Sequence, residues 1–137
     1  MILIIGGAYQ GKLSYALQTC KRSREEVYEC SESSVDLPPP HRVVYHLERW
    51  ILACTSAGMD VAAVVRTYIE SLTDEIIVCE DISCGVVPMD PLLRAWRENV
   101  GRTLTAVSQR SDRTVRLFCG IPTILKEGKG EKNESKN

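Results

Sequence analysis

No apolar run in this 137-residue chain approaches the ~20 residues that a membrane-spanning helix needs. The opening MILII is too short for a signal-peptide core, has no basic flank and leads into glycines, so a cytoplasmic location is expected. Charge of one sign is missing too. Seventeen Lys and Arg oppose 18 Asp and Glu, which removes any electrostatic argument for nucleic acid or a membrane surface as a partner. There are only two histidines and no C-x-x-C pair. The six cysteines, at 20, 30, 54, 79, 84 and 119, lie mostly in apolar stretches such as IIVC and RLFC. They are expected to be buried free thiols, since a zinc site wants closer ligand spacing, and no metal ligand set is assigned.

What is present alternates. MILII is a short, wholly apolar run suited to a strand covered on both faces. Leu13, Ala16, Leu17 and Cys20 then keep helical spacing, and VYEC at 27–30 reads as a second strand before the polar, proline-ended loop SESSVDLPPP. Residues 43–57 fit either a strand turning into a helix or a helix throughout. Asp60 caps a helix carrying Val61, Val64, Val65, Tyr68, Ile69 and Leu72, and EIIVC at 75–79 is another buried strand. Asp90 and Pro91 start a helix whose Leu93, Trp96, Val100, Leu104 and Val107 face one side as far as Ser108. Gly101 inside it marks close packing or a bend. TVRLFC at 114–119 is a strand and TILK at 123–126 a short edge strand. The pattern predicts one α/β domain over residues 1–126, with a mostly parallel sheet and helices on both faces, and a disordered polar tail over 127–137.

Between the first strand and the first helix lies GGAYQGKLS, residues 6–14. G-x-x-x-x-G-K lets successive backbone N–H groups surround a phosphate while the lysine adds a point charge and the helix the positive end of its dipole. Gly6, Gly7, Ala8, Tyr9, Gln10, Gly11, Lys12, Leu13 and Ser14 are the candidate nucleotide-binding residues, with ATP or GTP as ligand. Leu13 stands where a hydroxyl ordinarily reaches Mg²⁺, and Ser14 is rotated by about 100° around the helix. Metal-assisted transfer therefore needs another group to complete a magnesium shell.

The segment EDISCGVVPMDPLLRAWRENVGRTLT, residues 80–105, resembles the bifunctional adenosylcobinamide kinase/adenosylcobinamide-phosphate guanylyltransferase family through Gly85, Val87, Pro88, Pro91, Arg94 and Gly101. FCGIPTILK resembles that family's closing strand, and MILIIGGAYQGKL its opening, apart from Leu13. The resemblance implies a P-loop α/β fold, a compact homotrimer and a corrinoid substrate of cobalamin biosynthesis. It also implies phosphorylation of the corrinoid hydroxyl followed by GMP transfer through a guanylylated histidine.

Four departures fall at chemical positions: Leu13; Tyr45 in place of the acid ending the third strand; Glu80-Asp81 in place of an Asn-Glu pair; and SESSVDLPPPHR where the family carries its histidine helix. Lys12, Asp81 and His41 are the candidate catalytic residues, and His46 is read as a surface or half-buried histidine. Three functions stay open: a corrinoid kinase using ATP or GTP, with guanylyl transfer the weaker expectation; a catalytically silent nucleotide-binding homologue with an interaction or regulatory role; or a P-loop kinase for another small hydroxylated substrate.

Overall fold

The computed structural model describes residues 1–8, 10–82 and 89–128. The apolar runs became strands β1 (Ile2–Gly6), β3 (Val43–Tyr45), β4 (Ile76–Glu80) and β5 (Arg113–Phe118), with short β2 (Val27–Glu29) and the closing β6 (Ile121–Lys126). Helices α1 (Lys12–Thr19), α2 (Leu47–Ser56), α3 (Val61–Glu70) and α4 (Pro91–Arg110) separate them. All six strands form one sheet in the order β2-β3-β4-β1-β5-β6, parallel throughout except for β6, which runs antiparallel to β5 at one edge.

Each central strand alternates its side chains between two cores, as a pleated strand must. Leu3, Val44, Ile77 and Cys79 face one core with Trp50, Ile51, Val65, Tyr68, Val100 and Val107 from α2, α3 and α4. Ile4, Val43, Ile76, Val78, Val115 and Leu117 face the other, where α1 supplies Ala16, Leu13 and Leu17. The helices are thus divided three to one across the sheet among the described residues.

Local chemistry accounts for the helix starts. Asp60 Oδ1 accepts from Ala63 N at 3.3 Å, and Asp90 Oδ1 accepts from Leu92 N at 2.8 Å with Pro91 in the first turn. The ambiguous stretch 43–57 proves to be a three-residue strand followed by a helix, with the break at His46, whose φ of 62° is left-handed.

Several expectations change. Leu93 is exposed, and Thr103 takes a buried place on α4 between Val100 and Val107. A Cβ at Gly101 would meet nothing within 4 Å, so that glycine marks no close packing. Cys30, Cys54 and Cys79 are buried free thiols, but Cys119 is exposed at the β5–β6 turn and Cys20 is half-buried. Arg116 and Phe118 point to the three-helix face at the end of β5 that those helices leave uncovered, so RLFC is not a wholly buried run. Glu127, assigned to the tail, forms an ion pair with Arg113 at 3.3 Å; residues 129–137 lie outside the described residues. Cys84, Gly85, Val87 and Pro88 lie outside them too.

Candidate functional site

β1 ends at Gly6 and the chain turns through residues 7–11 into α1. Gly11, at φ 79°, is the cap residue, a conformation glycine adopts without steric cost. Gly11 offers no side chain to cap α1 and no acid sits in its first turn, so, among the described residues, its first N–H groups face no capping side chain there. Gly6 packs against β5: a Cβ there would stand 2.7 Å from the Leu117 carbonyl oxygen. Gln10 Oε1 accepts from the Cys119 backbone N–H, which ties the loop to the β5–β6 turn. Tyr9 lies outside the described residues.

Lys12 folds back over this loop. Its Nζ donates to the Gly7 carbonyl at 2.6 Å, and the residue is only 6% exposed. An ammonium offers three donors, and among the described residues no carboxylate pairs with this one. A buried cation bonded, among the described residues, to one neutral oxygen favours an anion beside it. Asp81 is brought close to the same place, since its N–H donates to the Gly6 carbonyl at 2.8 Å.

A cleft of about 500 Å³ opens at this carboxyl edge of the sheet, lined on one side by Ala8 and residues 10–14 and on the other by Tyr45, His46, Arg49 and Glu80. Its position follows from topology, because the ends of β1, β3 and β4 lie side by side and Gly6 is in register with Glu80. An apolar groove of similar volume between α3 and α4, lined by Val61, Val65, Ile69 and Ala106, contains none of the loop residues.

The far wall of the cleft is built around a buried acid. Glu48, 4% exposed, bonds His46 Nδ1 through Oε2 at 2.7 Å and accepts the Glu80 backbone N–H through Oε1 at 2.9 Å. A carboxylate only accepts, so the proton between it and the imidazole belongs on Nδ1, leaving Nε2 as the ring nitrogen not engaged by Glu48. The Glu48 carbonyl accepts from Trp96 Nε1 at 2.8 Å, which fixes the start of α2 to α4. Tyr45 lies on the His46 ring, with centroids 3.9 Å apart.

The thiols behind this wall are held protonated. Burial pushes Cys30 up to about 12, with the Glu48 charge adding to it, and burial raises Cys79 well above the ordinary thiol value. Neither offers a thiolate.

His41 falls elsewhere. It precedes β3, at the amino edge of the sheet, whereas Lys12 and Asp81 are at the carboxyl edge. The five residues of β4 separate the two edges by roughly 15 Å at the usual strand rise. Grouping His41 with Lys12 and Asp81 is therefore corrected: a parallel sheet sends the residues before and after a strand to opposite ends. His41 Nδ1 instead meets Asp74 Oδ1 at 2.5 Å, its backbone N–H meets Glu75 Oε2 at 3.1 Å, and Arg22 lies 4.0 Å from Asp74. The Asp74 hydrogen bond raises the His41 pKa and lowers that of Asp74.

Sequence reasoning missed Glu48, while His46 is half-buried, one of the two settings expected of it. The available signal was an acid on the buried stripe of α2, three residues before Ile51 and two after a histidine.

The sheet order, the strand–loop–helix opening and the cleft at the carboxyl edge define an α/β protein of the P-loop-like class. The chain belongs to the family described as cobinamide kinase / cobinamide phosphate guanyltransferase, which matches residues 41–125, well over half of its length. The match begins beyond the loop at residues 6–14 and takes in the cleft wall formed by Tyr45, His46, Arg49 and Glu80. No curated protein matches the chain. None of its described helices is long and apolar enough to cross a membrane.

Proposed function

We propose that the chain binds a nucleoside triphosphate, ATP or GTP, on residues 6–14 and transfers its terminal phosphoryl group to the side-chain hydroxyl of adenosylcobinamide. The single observation that supports this most is Lys12, a buried ammonium with no carboxylate partner among the described residues, at the start of α1 and inside the loop. The polyphosphate would lie along the loop, with Lys12 exchanging its bond to Gly7 for the phosphate oxygens. Positioning and charge stabilisation carry most of phosphoryl transfer, and both can come from this edge of the sheet.

A divalent cation, when bound, neutralises phosphate charge. Leu13 supplies no ligand to it; among the described residues lining the cleft, Glu80 carries a carboxylate and Ser14 and Tyr45 carry hydroxyls. Guanylyl transfer is not part of the proposal, because His41 is at the opposite edge of the sheet. The second reading, a silent nucleotide-binding homologue with an interaction role, is favoured by one observation: Leu13 packs against the core on the α1 face.

Triphosphate labelled at the α or γ position, incubated with Mg²⁺ and adenosylcobinamide, tests the proposal. Label passing from the γ position to the corrinoid supports the kinase. Binding without transfer supports the silent homologue. Absence of triphosphate binding, or binding unchanged in Lys12→Ala, refutes the nucleotide site; truncation should weaken it about 10- to 100-fold, the usual cost of a charge-assisted contact.

A further inference from the structure

We propose that His46, oriented by the buried carboxylate of Glu48, is the proton acceptor for the hydroxyl that attacks the phosphoryl group in this cleft; the proposal rests on the kinase reading above. Three observations carry it. The imidazole lines the same cleft as Lys12 and the loop, across from them. Its Nδ1 is fixed at 2.7 Å from Glu48 Oε2, and the other Glu48 oxygen is itself fixed by the Glu80 N–H at 2.9 Å, so the carboxylate cannot swing away without losing both bonds. The backbone holds His46 at φ 62°, an uncommon conformation for a residue with a side chain, at the junction of β3 and α2 on the cleft wall.

A histidine with one nitrogen bonded to a buried carboxylate has its tautomer set, and the opposite nitrogen keeps a lone pair when the ring is neutral. In the step proposed, the acceptor O–H bond breaks and its proton passes to Nε2. The oxygen forms a bond to the γ-phosphorus. The bond from that phosphorus to the bridging oxygen breaks, and the nucleoside diphosphate leaves with the electron pair. The imidazolium that forms lies against Glu48, whose negative charge stabilises it as it develops. Glu48 is thus a positioning residue and His46 the catalytic one. The Tyr45 ring lies against the imidazole, tilted by 33° with centroids 3.9 Å apart.

His46→Asn is the informative variant. Asparagine tolerates the left-handed backbone, and its amide can keep a donor to Glu48 while Nε2 is lost. With γ-labelled triphosphate and adenosylcobinamide under single-turnover conditions, its transfer rate should fall about 10²- to 10⁴-fold, the usual contribution of a positioned general base. Triphosphate affinity should stay within about twofold of wild type, and kcat should fall while KM does not rise. In His46→Gly, free imidazole should restore part of the rate, which a merely structural role would not allow. Glu48→Gln should lower kcat less than His46→Asn does, and imidazole should not rescue it.

An unchanged transfer rate in His46→Asn overturns the proposal while leaving the kinase reading intact. Label from the α position retained on wild-type protein and lost in His46→Asn also overturns it, since the imidazole is then a nucleophile. Wild-type protein that binds triphosphate without transferring it refutes the kinase reading and this proposal together.

Discussion

Gly6→Ala tests how the phosphate loop is built into the sheet. The added Cβ would sit 2.7 Å from the Leu117 carbonyl oxygen, whereas ordinary van der Waals contact begins at 3.4 Å, so about 0.7 Å must be found. The obstacle is backbone. Leu117 pairs with Gly6 in the parallel β1–β5 ladder and is 1% exposed, so no side-chain rotation relieves the clash and the ends of two central strands must separate. Overpacking of this kind costs about 1–3 kcal/mol, a large share of the roughly 5–15 kcal/mol that holds a domain folded. Urea unfolding should show the midpoint falling by about 1 M for an ordinary m-value.

Gly101→Ala is the matched control. It adds the same methyl group in mid-helix where nothing lies within 4 Å, and should stabilise by about 0.5–1 kcal/mol. Because Lys12 Cδ is also 3.5 Å from the new Cβ at Gly6, triphosphate binding should weaken in Gly6→Ala and hold in Gly101→Ala. A Gly6→Ala protein within 0.5 kcal/mol of wild type by the same titration would refute the close packing of loop on β5.

Three further outcomes are expected. Leu13→Ser removes a side chain packed on the α1-face core and should cost about 1–2 kcal/mol, while triphosphate binding by calorimetry becomes more dependent on Mg²⁺; equal dependence in both proteins would show that the hydroxyl position is not at the metal. Tyr68→Phe removes a buried hydroxyl that has no partner among the described residues, and should leave stability unchanged or raise it by about 1 kcal/mol; a loss larger than that would reveal a bond to the hydroxyl. The His41–Asp74 bond should contribute a small stability that peaks in mildly acidic solution. His41 is raised from 6.5 in the folded state, so its share is full below 6.5 and lost as pH rises through the folded value. Asp74 is lowered from 3.8, so its share is full above 3.8 and lost as pH falls through the folded value. The difference in unfolding free energy between wild type and His41→Gln, followed from pH 3 to about pH 9, should therefore pass through a maximum between those limits; a flat difference would count against the bond.

The fold was legible where the signal was local. MILII and EIIVC are short apolar runs bounded by polar residues, and Asp90-Pro91 combines a capping oxygen with a preset first turn, so these elements could be placed without tertiary knowledge. Residues 43–57 could not be divided, because the break falls at His46 in a left-handed conformation that no glycine announces. Of the two readings of Gly101, close packing or a bend, the first fails, since a Cβ there would meet nothing within 4 Å among the described residues. His41 shows the limit on sites. It stands nearer to Lys12 along the chain than Asp81 does, yet the parallel sheet puts it at the far edge and brings Asp81 to the loop.

Three of the four departures from the pattern that the resemblance implies fall together in space, while His41 lies at the opposite edge. Tyr45 at the end of β3 and Glu80 at the end of β4 face the phosphate loop across one cleft, and Leu13 lies on the loop side of it. The same wall places a carboxylate, Glu48, behind an imidazole, and a second carboxylate, Glu80, beside them. A protein that had only lost its chemistry would have little use for Glu48, since a buried acid without bonding partners costs several kcal/mol and an apolar residue would fill the start of α2 without that cost. Glu48 has both oxygens bonded to cleft residues, one to His46 and one to the Glu80 backbone N–H. Stability alone does not require that arrangement, and comparing Glu48→Gln with Glu48→Leu separates the two roles: if the leucine variant is at least as stable as wild type but inactive, the acid serves the imidazole and not the fold.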